Sequence, residues 1–187
     1  MIPWESTLER DFIKRLDFDP TVTSFKFQPL IINYVYQGKK RRYYPDFLVV
    51  KNDMNEYIYE VKALEKTEDE VNKVKFQVGM KFCYEKNMKY VVVSEADIRE
   101  GFLIENLDEL SEVRLESTSR KVMYEILRTI ERMGGRISKA TLKECLKHIN
   151  EAEVESNLYH LIYTHQLSMD LISAPISDES IIERMCN

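Results

Sequence analysis

The sequence is poor in the residues that staple small folds together. Its three cysteines, Cys83, Cys145 and Cys186, are odd in number, far apart and outside any C-x-x-C pair, so neither a disulfide framework nor a zinc cluster is favoured. Histidine is equally scarce: His148, His160 and His165 all fall in the C-terminal part, and His160 and His165 do not share a helix face, which disfavours a histidine metal site. No stretch approaches the roughly 20 apolar residues of a membrane span, and the opening residues carry charge where a signal peptide would be apolar. A soluble, cytoplasmic protein in a reducing compartment is expected. Positive charge is lacking too, since 27 Lys and Arg face 32 Asp and Glu for a net of −5. Neutralisation of phosphates dominates non-specific affinity for nucleic acid, so a role on DNA would need locally concentrated basic groups or a partner that delivers the DNA. Two concentrations exist, Lys39, Lys40, Arg41 and Arg42 after Gly38, and Lys73 with Lys75 and Lys81. Each serves equally well as a solvated loop or helix face.

What is present is enough apolar material, 44% of 187 residues, for one sizeable core or two small ones. Leu8, Phe12 and Leu16 recur at helical spacing, so residues 5–16 read as an amphipathic helix with Ser6 or Thr7 as its N-cap. After Asp17 to Pro20 come β-rich runs at Val22–Phe27, Leu30–Tyr36 and Tyr43–Val50, interrupted by Pro29 and the Gly38 turn, which predict an antiparallel meander. Glu56–Lys62 is a fourth strand, and Val71, Val74, Val78 and Phe82 mark one face of a helix over about residues 67–86. Lys89–Ser94 reads as a buried strand, parallel to its predecessor because a helix joins the two.

Beyond the polar segment Leu110–Ser119 the β character almost vanishes. Helices are expected over about 119–133, from Ser138, and over about 151–165, then a short strand or wing at Leu167–Ile172 and a last helix. Together these give an α/β fold, a mixed sheet flanked by helices over residues 1–112, followed by a small helical, winged-helix-like domain over 113–187. Residues 117–187 hold nine Lys and Arg against ten Asp and Glu, a balance that favours protein docking over DNA reading in the second domain.

One constellation carries chemistry. Pro45-Asp46 near the start of one strand is followed, after thirteen intervening residues, by Glu60-Val61-Lys62 at the end of the next. A hairpin of those strands brings Asp46 beside Glu60, and the two-residue period of a strand puts Lys62 on the same face as Glu60. Phosphodiester hydrolysis needs this grouping: hard oxygen ligands for Mg²⁺ or Mn²⁺, and a lysine that orients water or offsets charge in the transition state. The Val61 carbonyl is a further candidate ligand, and Glu9 on the first helix can lean over the sheet to complete the acidic cluster. The letters are common and the spacing loose, so it is their placement on consecutive strands between helices that raises them above a surface ion pair. Tyr34, Tyr36, Tyr43 and Tyr44 are available to stack on nucleotides, although strand aromatics more often serve packing.

Ser6 to Phe12, Phe27-Gln28-Pro29, Arg42 to Leu48, Tyr59 to Lys62, and Tyr90 to Ser94 followed by Glu95 to Ile98 resemble, in that order, the TnsA endonuclease subunit of heteromeric transposases. That family has the restriction-endonuclease-like fold of the PD-(D/E)-x-K nucleases. The resemblance implies a metal-dependent DNA endonuclease that cuts at the 5′ ends of a transposon, on the strands opposite those joined by a partner transposase. It implies Glu9, Asp46 and Glu60 as acidic residues, Lys62 as the catalytic lysine, and contacts of the smaller domain with an ATP-dependent regulator and with double-stranded DNA. Some relatives carry Gln where this chain has Glu60. Two other readings stay open: an autonomous restriction or repair nuclease, and a non-catalytic assembly factor on the same fold.

Overall fold

The computed structural model describes residues 6–114 and 118–185, in two compact units, residues 1–100 and 101–187. Helix α1 (Thr7–Phe18) opens the first unit, with the Ser6 hydroxyl accepting the Glu9 N–H as its N-cap and with Leu8, Phe12 and Leu16 buried as their spacing predicts. Strands β1 (Val22–Phe27), β4 (Phe47–Lys51), β5 (Glu56–Val61) and β6 (Lys89–Val93) form one mixed sheet in the order β1-β4-β5-β6. The first two pairings are antiparallel, and β6 lies parallel to β5, as the intervening helix requires.

The expected meander is not formed. Strands β2 (Ile32–Tyr36) and β3 (Lys39–Tyr43) make a hairpin of their own, and β1 pairs instead with β4. The reason lies in two short segments. Gln37 and Gly38 both adopt positive φ, 50° and 72°, the geometry that closes a two-residue hairpin and turns the basic run into a strand instead of a loop. Tyr44, Pro45 and Asp46 then separate β3 from β4, so the predicted strand over residues 43–50 is two strands.

The helical stretch after β5 is likewise divided, into α2 (Leu64–Thr67) and α3 (Glu70–Glu85). Its buried stripe is Phe76, Gly79 and Cys83, whereas Val71 is exposed, so the inward face is rotated from the valine row that hydropathy marked. Strand β6 is half-buried at the sheet edge, not fully buried. The short helix α4 (Glu95–Ile98) starts from a Ser94 capping box, and Arg99 behind it fastens to Asp11 of α1 at 2.7 Å.

Neighbouring residues of β5 point to opposite faces. Phe12 of α1 meets Tyr59 and Phe47 at ring-centroid distances of 5.2 and 5.3 Å, while Ile58 is paired with Tyr90, whose ring lies against Gly79 of α3. The sheet is therefore covered by α1 on one face and by α3 on the other. This doubly covered centre, with Phe47, Val49 and Ile58 fully buried, is the rigid base from which the ends of β4 and β5 project.

The second unit contains α5 (Leu103–Arg114), α6 (Arg120–Arg132), β7 (Arg136–Ser138), α7 (Lys139–Cys145), α8 (Glu151–Tyr163), β8 (Leu167–Met169) and β9 (Ile181–Arg184). The cap expected at Ser138 is formed, its side chain accepting the Thr141 N–H, and α8 is capped by Asn150, which accepts those of Ala152 and Glu153. Two expectations change. The predicted last helix is β9, the central strand of an antiparallel sheet ordered β7-β9-β8, because Ile182 is drawn into the core between Ile137 and Met169. The unit also begins earlier than residue 113, since α5 packs on α8 through a fully buried Leu107 and Leu110. Of the polar segment Leu110–Ser119, Leu110 to Arg114 is thus helix, and residues 115–117 lie outside the described residues.

Asn106, with no exposed surface, ties the segment after β8 in place by donating to the carbonyls of Leu171 and Ala174 and accepting from the Ile176 N–H. Cys83 and Cys145 are free thiols, and Cys186 lies outside the described residues. No helix among the described residues is long and apolar enough to cross a membrane.

The aromatic cluster around Phe47 should dominate the stability of the first unit. Phe47 has no exposed surface and touches Phe12, Phe25 and Phe27. Truncation to alanine is expected to remove about 3–5 kcal/mol, read as a lowered urea midpoint. A loss below about 1 kcal/mol would mean the cluster is not the core it is taken for.

Candidate active site

Asp46 immediately precedes β4, and Phe47 pairs with Tyr59, so the antiparallel register sets Asp46 against the Glu60–Val61 end of β5. One Asp46 oxygen, Oδ2, accepts the Val61 N–H at 2.7 Å. Glu60, one residue earlier on the strand, is 2% exposed and divides its two oxygens between different partners. Its Oε2 accepts from the Tyr43 hydroxyl at 2.6 Å, and its Oε1 lies 3.4 Å from the Lys62 ammonium. Lys62 follows β5 directly, and its N–H donates to the Val93 carbonyl, which continues the parallel pairing and steadies the lysine beside Glu60.

The electrostatics of the pair are set by burial and by like charge. Burial first, then the Glu60 carboxylate and more weakly Glu9, push the Asp46 carboxyl from its ordinary 3.8 up to about 7, against the opposing pull of the Val61 N–H and Lys62. Burial also raises Glu60, opposed by Tyr43, Lys62 and Lys75. Two carboxylates in one poorly solvated corner resist being charged together, and positive charge brought to them is stabilised in return.

The structure thus unites Asp46, Glu60 and Lys62, with Val61 supplying a backbone donor. Glu9, buried on α1, reaches Asp46 through its field. Among the described residues no group of three or more His, Cys, Asp or Glu side chains is gathered at metal-holding distances, so the three-carboxylate cluster expected from the sequence is not closed. The basic candidates separate. Lys75 of α3 lowers the Glu60 carboxyl weakly through its charge, while Lys73 is engaged by Glu68 at 3.0 Å and by Glu70 at 3.9 Å.

Lys39, Lys40, Arg41 and Arg42 are all exposed on β3. Strand alternation places Arg41 and Lys39 on the same face as Tyr43, beside their cross-strand partners Tyr34 and Tyr36. Lys40 and Arg42 flank Val35 and Asn33 on the other face. A row of cations and tyrosines therefore leads outward along the hairpin from the hydroxyl that touches Glu60.

Sequence reasoning missed the phenols of Tyr43 and Tyr90, which lie 2.8 Å apart behind Glu60. No local signal marks them, because Tyr43 comes from a separate hairpin and Tyr90 from the far side of a crossover. The one available hint was Gly79, a glycine in the middle of a helix where alanine is favoured by about 1 kcal/mol.

A pH dependence follows from the raised Asp46. With a folded value of about 7 against an ordinary 3.8, the folded chain holds a proton that the unfolded chain has released across that interval. The metal-free protein should therefore lose stability as pH rises from about 4 to about 7. Asp46→Asn, whose amide oxygen can still accept from Val61, should melt above wild type at pH 8 without metal and show a flatter slope. Melting curves at pH 5 and pH 8 test this, and identical slopes in the two proteins would exclude the crowded pair as the cause.

Residues 19–95 match the family model described as TnsA-like endonuclease N terminal. The matched segment contains Tyr43, Asp46, Glu60, Lys62 and Lys75, and ends before the second unit begins. No curated protein matches the chain. The segment that builds this carboxylate and lysine site is thus similar to the N-terminal domain of TnsA-like endonucleases.

Proposed function

We propose that the protein is the DNA endonuclease subunit of a heteromeric transposase, cutting double-stranded DNA at the 5′ ends of the element on the strands opposite those joined by its partner transposase. The observation that carries this reading is the meeting of Asp46, Glu60 and Lys62 at the ends of β4 and β5, within the segment that matches the TnsA-like family.

The donor set fits Mg²⁺ or Mn²⁺. Asp46 and Glu60 are hard oxygen ligands whose ionisation burial and mutual repulsion oppose, the condition a divalent cation relieves. Those two carboxylates and the Val61 carbonyl would hold the ion, with Glu9 available to complete the set. When bound, the ion supplies a Lewis acid for the phosphate and lowers the pKa of water. Lys62 orients the attacking water or offsets charge growing on the phosphate, and Lys75 adds a second positive charge from α3.

Lys39 and Arg41 on the inner face of the hairpin, with Lys40 and Arg42 outside, contact the phosphates leading into the site. Lys73, already paired, has the smaller share.

The second unit serves docking to protein, here the ATP-dependent regulator. Its three helices from α6 to α8, with the β7-β9-β8 sheet, have the order of a winged helix. In that arrangement α8 would read DNA, yet its flank is covered by α5, and its exposed first turn carries Glu151 and Glu153. Acidic side chains at that position repel phosphates, whereas they suit a basic protein surface.

Cleavage of a transposon-end duplex with Mg²⁺ or Mn²⁺ tests the whole reading. The expected result is nicking that needs the transposase and ATPase partners and falls by at least about 100-fold in Asp46→Ala and in Lys62→Ala. Cleavage by the lone protein would favour an autonomous nuclease, and none under any combination would favour an assembly factor. In binding assays, Lys39→Ala and Arg41→Ala should each weaken DNA affinity uniformly across sequences and reduce the salt slope by about 1. Unchanged slopes would remove the hairpin from the DNA interface.

A further inference from the structure

The roles given to Asp46, Glu60 and Lys62 leave two phenols without a purpose, one buried and one half-buried. Tyr43 is 2% exposed, and its hydroxyl lies 2.6 Å from Glu60 Oε2 and 2.8 Å from the Tyr90 hydroxyl. A phenol has one proton to give, and an ionised carboxylate can only accept. Tyr43 therefore donates to Glu60, which obliges Tyr90 to donate to Tyr43. The result is a directed chain from Tyr90 through Tyr43 to Glu60, each bond polarising the next.

The far end of the chain is held by shape. A Cβ built on Gly79 would lie 2.2 Å from Cε2 of the Tyr90 ring and 2.7 Å from Cζ, so no larger residue fits while the ring stays where it is. Gly79 sits inside α3, where the backbone itself makes no demand for glycine. The ring makes that demand.

Resting on the nuclease reading above, we propose that Tyr43 and Tyr90 are a positioning pair for Glu60, holding Oε2 against the protein so that Oε1, on the Lys62 side, is the single oxygen offered to a divalent cation. Outer partners of this kind fix the orientation of a ligating carboxylate, and their loss typically weakens metal affinity by about 10–100-fold. A pair that only satisfied a buried acid would influence folding and leave cation affinity alone.

The test is a Mn²⁺ titration of the full chain, by calorimetry or electron paramagnetic resonance, on wild type, Tyr43→Phe, Tyr90→Phe and Asp46→Ala, beside DNA affinity and single-turnover cleavage rate. Tyr43→Phe is expected to bind Mn²⁺ about 10–100-fold more weakly, with DNA affinity unchanged and a slower cleavage rate that excess Mn²⁺ partly restores. Tyr90→Phe should shift affinity in the same direction by less. Wild-type Mn²⁺ affinity in Tyr43→Phe overturns the proposal while leaving the nuclease reading intact. Should Tyr43→Phe fail to fold, Tyr90→Phe decides, and unchanged affinity there overturns the pair. If wild type binds no more Mn²⁺ than Asp46→Ala, the metal-dependent nuclease reading fails and the pair falls with it.

Discussion

The crowding of Asp46 against Glu60 is the constraint around which the first unit is organised. Neither carboxylate is comfortable when charged in a half-dry corner of the sheet, and each is held by a bond that leaves part of it in use. Asp46 is held by the Val61 N–H, and Glu60 by the Tyr43 hydroxyl and the Lys62 ammonium. Such an arrangement opposes ionisation of the pair, a cost that a bound cation would relieve on the function proposed above. The aromatic core beneath, from Phe12 through Phe47 to Tyr59, provides the stability against which this local repulsion is set.

Strand β3 joins the two halves of that arrangement. Its outer residues are the basic ones, and its last residue, Tyr43, is the one that touches Glu60. The same five-residue strand thus carries both the surface suited to phosphates and the group that orients a carboxylate. On the proposed function, the hairpin is how an acidic chain would address DNA: four cations lie on one exposed strand, so local charge would do what the net charge cannot.

The second unit depends on a different interaction. Lys139, 5% exposed, donates to the Tyr159 hydroxyl at 2.6 Å and pairs with Glu155 at 2.5 Å, while Tyr159 donates to Glu109. This network links α5, α7 and α8, which is why α5 belongs to this unit although its last turns fall in the polar segment Leu110–Ser119. Fixing a helix bundle with a fully bonded ion network specifies one packing, at the expense of surface left for reading DNA.

What the sequence determined by itself was local. The spacing of Leu8, Phe12 and Leu16 set α1, Ser138 set the start of α7, and the alternation along Glu56–Lys62 put Glu60 and Lys62 on one face. The convergence of Asp46 with Glu60 was legible too, because consecutive strands joined by a short turn have few ways to pair. Tertiary structure decided the rest. Whether Lys39 to Tyr43 was loop or strand, which face of α3 turned inward, whether residues 181–184 entered a sheet, and which phenols stood behind Glu60 all depended on partners distant in the chain. Period and propensity report a residue's own backbone preference. Pairing, burial and hydrogen bonding across the fold are settled only when the remote strand or helix that completes them arrives.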